Sequence, residues 1–194
     1  NNSTEFGKHV AAFDDVDNVY VISAATSESK PVSKWKYDKS TQNLSEVSFL
    51  SNADFGLVSE TSSANAQASY DMSVSRDLSV VVTSNPFAIS SGQPRGKVCI
   101  SNSRYDAVLH HQQILQIAGS EDNGQFGKSI SVNKESTYLG EAIVAVGSPR
   151  KTNNSLSKAG GVEVYRVDFT ATPNTITQLG GDLATVTGFT PVTD

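Results

Sequence analysis

Three short apolar runs, rich in β-branched residues, recur along the chain and set its predicted architecture. Runs of this length, with turn residues beyond them, are typical of strands buried on both faces. Each run ends in small residues, and a polar loop and then a strand of alternating character follow it. The apolar runs are Val19–Ile22, Val80–Val82 and Ala142–Val146. The alternating strands are Val32–Tyr37, Lys97–Ser101 and Val162–Val167.

One more strand is predicted on each side of these pairs. The strand before each apolar run begins at residue 6, 70 or 126, with Phe6-Gly7, Tyr70-Asp71 or Phe126-Gly127. The strands that close the units are Leu44–Leu50, His111–Ile117 and Ile176–Leu179. The pattern predicts an all-β fold in which each unit contributes four antiparallel strands. We expect residues 1–194 to form a single repeat domain with units at 6–69, 70–125 and 126–183 and a tail at 184–194.

The third unit carries the clearest motif. Phe126-Gly127 opens it, Ala142–Val146 forms its buried strand, and Gly147-Ser148-Pro149 makes the turn beyond that strand. This order resembles the FG-GAP repeat, the blade unit of β-propellers such as the integrin alpha-subunit head. The resemblance implies propeller blades of four antiparallel strands, about three in this chain. An ordinary β-sandwich with recurring strands is the alternative. The motif residues that the resemblance marks as structural are Phe6, Gly7, Phe126, Gly127, Gly147 and Pro149.

Composition and charge narrow the classes of function. The net charge of −5, without a basic cluster, disfavours nucleic-acid binding. No apolar stretch reaches the length of a membrane span. The chain begins with asparagine rather than methionine, which suggests a processed or excised mature chain. Together with four candidate glycosylation sequons, this favours an extracellular or cell-surface location. The sequons stand at Asn1, Asn2, Asn43 and Asn153.

The residues do not suggest catalysis. Cys99, the only cysteine, lies between two β-branched residues, where we expect a buried thiol that behaves as a small apolar side chain. No spacing of a nucleophile, a base and an oxyanion site is recognisable. We therefore predict that the protein is not an enzyme.

An acidic segment follows the first strand of the first unit. It comprises Asp14, Asp15, Asp17 and Asn18, and alternating carboxylates suit a hard cation such as calcium. The resemblance implies calcium here, since integrin-like blades hold this ion in an Asp-rich loop between the same two strands. The segment lacks the glycine and the distal acid of the family pattern, so a solvated acidic turn is the other interpretation. We expect no other cofactor.

Three units leave two blade flanks without a neighbour, because propellers close with four to eight blades. We expect other copies of this chain, or the missing remainder of a longer chain, to cover these flanks. Glycans and surface proteins are further candidate partners. The docking flank is predicted at Ile176, Leu179 and Leu183, and its target is the edge at residues 6–13.

Two classes of function remain open. The first is a non-enzymatic extracellular adhesion or structural module, which assembles into oligomers or filaments, or binds partners, through its blades and loops. The alternative is a carbohydrate-binding propeller, or a non-catalytic fragment of a larger secreted hydrolase. Aromatic rings near loops would stack on sugars in the alternative. The rings considered are those of Trp35, Tyr37, Tyr105 and Tyr138.

Overall fold

A computed structural model describes residues 6–25, 32–50, 71–102, 115–133, 140–152, 157–171 and 173–180. These ranges contain strands and turns and no helix, so the predicted all-β class is confirmed. The strands form three four-stranded antiparallel sheets and one two-stranded hairpin. Within the ranges described, no segment forms a helix long and apolar enough to cross a membrane.

Each sheet is built from one predicted unit. The first sheet contains β1 (Phe6–Asp14), β2 (Asn18–Ala25), β3 (Val32–Asp38) and β4 (Asn43–Leu50), in that order. The second sheet has the order β10-β9-β6-β5 and comprises β5 (Asp71–Val74), β6 (Val80–Asn85), β9 (Lys97–Asn102) and β10 (Leu115–Ala118). The third sheet contains β11 (Ser129–Asn133), β12 (Glu141–Ser148), β13 (Gly161–Asp168) and β14 (Thr175–Gln178), in that order.

A small hairpin lies inside the loop predicted between the middle strands of the second unit. It pairs β7 (Ile89–Ser90) with β8 (Gln93–Pro94). Ser91 and Gly92 form its turn with φ angles of 53° and 76°, the left-handed conformation that two-residue hairpin turns require. Each of the three sheets is therefore a four-stranded meander, and the meander of the second sheet contains an inserted hairpin.

The second sheet is buried on both faces. Successive residues of a strand point to opposite faces, and β6 is buried at all six positions. Val81 packs in one apolar core, whereas Val80 and Val82 pack in another. β9 behaves likewise, with Cys99 in the first core and Val98 in the second. The second sheet therefore lies between the other two.

The two cores join sheets that are neighbours in the chain. The first core packs Tyr20, Ile22 and Ala24 of β2 against residues of the second sheet. The second core packs Ala142, Val144 and Val146 of β12 against the other face of the second sheet. We call the face that a sheet turns toward the next sheet its trailing face, and the opposite one its leading face. Among the described residues, those on the leading face of the first sheet and on the trailing face of the third supply no side chain to either core.

Two sequence-based expectations about strands were wrong. β9 was predicted to alternate, yet all six of its residues are buried, because both faces of its sheet are covered. β13 does alternate as predicted. Tyr70-Asp71 was matched to the Phe-Gly pairs, but the strand pairing places Asp71 elsewhere. Asp71 pairs with the next-to-last residue of β6, as His9 does with that of β2 and Ser129 with that of β12.

Phe6 and Phe126 each lie three residues before this paired position, at His9 and Ser129. The corresponding position before Asp71 is residue 68, which lies outside the described residues. The second unit therefore follows the other two in its strand pairing, although it does not follow the Phe-Gly letters at residues 70 and 71.

An aspartate ends the third strand of both outer sheets. The Asp38 carboxylate accepts hydrogen bonds from Ser40 N (2.9 Å), Ser40 Oγ (2.7 Å) and Thr41 N (3.0 Å). Asp168 binds the amide and hydroxyl of Thr170 in the same way. The Ser40 hydroxyl and the Thr41 amide, with smaller contributions, lower the pKa of Asp38 to about 2. The hydrogen bonds of Thr170 lower the pKa of Asp168 as well.

The turn at Asp38 should make stability depend on acid. The folded-state pKa of Asp38 lies below its ordinary value of 3.8, so its contribution is present above pH 3.8 and is lost as the pH falls toward 2. The urea midpoint of Asp38→Ala should therefore lie below that of the wild type near neutral pH, and the gap should close near pH 2. A gap of equal size at both pH values would show that the carboxylate does not stabilise this turn.

Candidate functional site

The turn that precedes the third sheet packs closely against the second unit. Phe126 is 2% exposed and lies in the second core. Its ring meets the ring of Tyr165 edge to face, with centroids 6.3 Å apart and planes at 88°. Gly96 and Gly119, from the second unit, lie against its backbone and Cβ. A Cβ at Gly96 would overlap the Phe126 carbonyl oxygen, and one at Gly119 would lie 2.7 Å from the Phe126 Cβ.

Gly127, the residue after Phe126, also lies against the second sheet. Its φ of 87° lies in the region that glycine adopts readily, and Gly7 has a similar φ of 78°. A Cβ at Gly127 would lie 2.9 Å from the Ser84 Cβ and 3.2 Å from Val98 Cγ2, both on the trailing face of the second sheet. The Gly127 amide donates to the Gly147 carbonyl (3.1 Å), which ties the turn to β12. Glycine is favoured here because the backbone has a positive φ and because a side chain would press against the second sheet.

The first strands of the three sheets run beside one another, with β5 in contact with both β1 and β11. Asp71 links all three strands. Its Oδ1 lies 3.7 Å from His9 Nδ1 of β1, and its Oδ2 accepts the Ile130 amide of β11 (3.0 Å). Ser73 Oγ accepts the amide of Val132 in the same way (3.0 Å). Side-chain oxygens of β5 thus replace a backbone ladder between the second and third sheets.

An ammonium group lies in the acidic turn of the first sheet. Lys39 Nζ is 2.5 Å from Asp14 Oδ1 and donates to the carbonyls of Asp15 (2.6 Å) and Val16 (3.3 Å). The Lys39 amide also donates to the Asp17 carbonyl (3.1 Å), and the amide of Asp15 donates to the carbonyl of Asn18 (2.8 Å). Several oxygens that a calcium ion would use therefore face a side-chain cation. Over the described ranges, no group of three or more His, Cys, Asp or Glu residues is arranged to hold a metal.

The remaining predicted site residues are spread over the molecule. Asn43 begins β4 and is exposed. Ile176 packs against the second core of its own chain, so its side chain faces inward, and the Leu179 amide donates to the Val164 carbonyl of β13 (2.7 Å). Pro149 lies in the turn directly after β12. Asn1, Asn2, Asn153, Leu183, Tyr105 and Tyr138 lie outside the described residues.

Two side chains that could in principle take part in chemistry, Cys99 and Glu163, are buried within the fold. Burial raises the pKa of the Cys99 thiol to about 12, so the thiol is neutral at physiological pH, and the predicted buried cysteine is confirmed. Glu163 is 7% exposed, and its carboxylate receives hydrogen bonds from Lys151 Nζ (2.9 Å) and the Tyr165 hydroxyl (2.5 Å). This network joins the turn after β12 to β13 and satisfies a buried charge.

Sequence reasoning missed Gly96, Gly119, Asp71 and Lys39 as members of these sites. Gly96 and Gly119 carried no motif, and Phe126, which packs against them, stands 30 and seven residues later in the chain. Lys39 reaches Asp15 across 24 residues and joins two turns at one end of the first sheet. The equivalence of His9, Asp71 and Ser129 emerges only from the strand pairing in the structure, and the Phe-Gly letters gave no signal for it.

Comparison with known proteins leaves the chain without an assigned family. No protein-family model matches it, and no curated protein matches it.

The glycine contacts around Phe126 give a matched pair of variants. Gly96→Ala should lower the free energy of unfolding by at least about 2 kcal/mol more than Gly92→Ala does. Both glycines have positive φ, but a Cβ at Gly92 meets nothing within 4 Å, whereas one at Gly96 overlaps the Phe126 carbonyl. Urea denaturation would measure both values. Equal losses would show that backbone conformation alone, and not the approach of Phe126, requires glycine at residue 96.

The acidic turn gives a prediction about metal. Addition of calcium, or of a chelator, should leave the melting temperature unchanged, because Lys39 already neutralises Asp14 and occupies the carbonyl oxygens beside it. Asp14→Asn should lower the melting temperature slightly, and by the same amount with calcium as with chelator, because an exposed ion pair contributes only about 0.2–1 kcal/mol. A calcium-dependent rise that Asp14→Asn abolishes would identify a cation site at this turn.

Proposed function

We propose that this chain is a non-enzymatic module of an extracellular or cell-surface protein, and that it serves adhesion or assembly. Its three sheets act as propeller-type blades of the FG-GAP kind. Their outer faces and loops contact other proteins.

The leading face of the first sheet is the observation that carries this proposal. The registers of the strands place Trp35, Tyr37 and their cross-strand neighbours on this face. Trp35 and Tyr37 are half-buried, whereas Val10, Leu44 and Phe49 are 60%, 57% and 45% exposed. Glu46, opposite Trp35, interrupts these apolar side chains. A face that exposes several large apolar side chains marks a site of protein contact more often than a solvated surface.

The equivalent face of the third sheet supports the same interpretation. The strand pairing aligns Trp35 with Tyr165 and Val21 with Val144. Tyr165 and Val144 are buried against the second sheet, at 7% and 0% exposure. The leading face of the first sheet thus carries a pattern that packs on another sheet elsewhere in this molecule.

Three features support the propeller arrangement. The sheets are four-stranded meanders, their first strands are neighbours, and Gly7 and Gly127 share a positive φ at equivalent places. Blades that stack sideways on one another place their first strands side by side. The ionisable pairs described above, such as His9 with Asp71, act between strands and sheets, which fits a structural role.

Carbohydrate binding is the second candidate, and it rests on Trp35 and Tyr37. These rings lie two residues apart on one half-buried face, and Tyr37 stands one residue before the end of β3. Flat, partly exposed aromatic rings can pack on the apolar face of a sugar ring. The same surface would then bind a glycan in place of a protein sheet.

Bead adhesion would test the proposal. Beads coated with the wild-type chain should adhere to one another or to cell surfaces, and Leu44→Lys/Phe49→Lys should reduce adhesion at least about tenfold. Val16→Lys is the matched control, because Val16 is 86% exposed but lies in the acidic turn, away from this face. Adhesion equal in all three proteins, or turnover of a peptide, ester or glycoside substrate, would refute the proposal. Glycan-array binding that Trp35→Ala abolishes would favour the second candidate.

A further inference from the structure

The contact between the second and third sheets follows a positional rule. Asp71 and Ser73 lie two residues apart on the trailing side of β5, and their side-chain oxygens accept the amides of Ile130 and Val132. Ile130 and Val132 then pack against the second core. At this junction the rule is that a trailing-side acceptor pair on β5 receives the amides of the next first strand, β11. The junction of β1 with β5 does not follow it, because Ala11 has no side-chain acceptor and the Met72 amide donates to Asp71 Oδ1 (2.9 Å).

The third sheet repeats the acceptor half of this rule. Ser129 occupies the position of Asp71, since each pairs with the next-to-last residue of the following strand, and Ser131 occupies that of Ser73. Both serines are exposed. Their hydroxyls are acceptors of the same kind as the Ser73 hydroxyl, which accepts the Val132 amide.

The first sheet repeats the donor half. His9 is equivalent to Ser129, so Val10 and Ala12 correspond to Ile130 and Val132. Val10 and Ala12 are exposed, whereas Ile130 and Val132 pack against a core. Gly7 also shares the positive φ of Gly127, but a Cβ at Gly7 would meet only Val10 Cγ2, at 4.0 Å. Gly7 thus has the backbone conformation with which Gly127 approaches another sheet, but within the described chain no sheet lies against Gly7.

The apolar positions match in the same register. On the trailing face of the second sheet, Val80, Val82, Val98, Ile100 and Leu115 all contribute to the second core. The equivalent positions of the third sheet carry Ile143, Ala145, Val162, Val164 and Leu179. None of these five residues belongs to either core, and Val162 is 43% exposed.

We propose that a second copy of this chain docks head to tail, with the leading face of its first sheet on the trailing face of the third sheet. The inference rests on the proposed function and names the partner of the same surface. Ser129 and Ser131 accept the amides of Val10 and Ala12 of the second copy. Large side chains at Trp35 and Tyr37 meet small ones such as Ala145, which gives the complementary packing that like faces would lack.

Two single variants test the orientation. Val10→Glu places a charge on the leading face, and Val162→Glu places one on the trailing face. Both residues are exposed in the single chain, so both variants should fold as the wild type does. By sedimentation velocity, the wild type should self-associate at high micromolar concentration, and each variant alone should do so at least about a hundredfold more weakly. Val16→Glu, at the exposed acidic turn, should associate as the wild type does.

Mixing the two variants gives the decisive measurement. The mixture should form a one-to-one heterodimer, because Val10→Glu retains an intact trailing face and Val162→Glu an intact leading face. Ser129→Ala/Ser131→Ala should weaken wild-type association about tenfold, because two hydrogen bonds are lost.

Each other outcome overturns the head-to-tail contact. Association of Val162→Glu alone, without association of Val10→Glu, would show that two leading faces pair, which leaves the proposed contact surface intact. A wild-type chain that stays monomeric while its leading face still mediates bead adhesion to cell surfaces would also overturn it, and the proposed function would survive. A wild-type chain that neither self-associates nor mediates bead adhesion would refute both the head-to-tail contact and the proposed function.

Discussion

Burial of the second sheet on both faces is the constraint on which the rest of the structure depends. β6 is apolar at three consecutive positions, and its alternating side chains enter two different cores. At roughly 25 cal/mol per Å² of apolar surface, covering both faces is the main stabilising contribution available to so short a strand. Over the part of the chain that the structure describes, each outer sheet contributes one face only to the two cores. Contacts outside the chain are what we propose for the opposite faces.

The strands were largely predictable from the sequence, and their surroundings were not. β-branched runs such as Ala142–Val146 identified the second strand of each unit, since local periodicity is the strongest signal of secondary structure. The burial of β9 on both faces could not be seen, because periodicity records only the contrast between faces within one strand. The hairpin at β7 and β8 was missed, although its Ser91-Gly92 turn is a recognisable signal.

The sites were less predictable, for two physical reasons. The acidic residues at Asp14 to Asn18 were found by their spacing, but the cation beside them comes from Lys39, on a different turn. Phe126 was found by its motif, but the groups that enclose it are backbone atoms and glycines of another unit. Close contacts that are possible only because glycine has no side chain leave almost no pattern in a single sequence. The strand registers recovered the equivalence of His9, Asp71 and Ser129, which the motif letters had obscured.

The enclosure of Phe126 by Gly96 and Gly119 has a consequence for folding. Gly119 N donates to the Gly96 carbonyl (3.0 Å), so the loops that form this enclosure are themselves held together by main-chain bonds. The third unit can bury its aromatic ring in this way only while the second unit holds these two segments together. The two units should then behave as one cooperative block, in which amide protons on both sides of the junction exchange with solvent in the same opening event. Two glycines of the second unit thus make the stability of the third unit depend on that of the second.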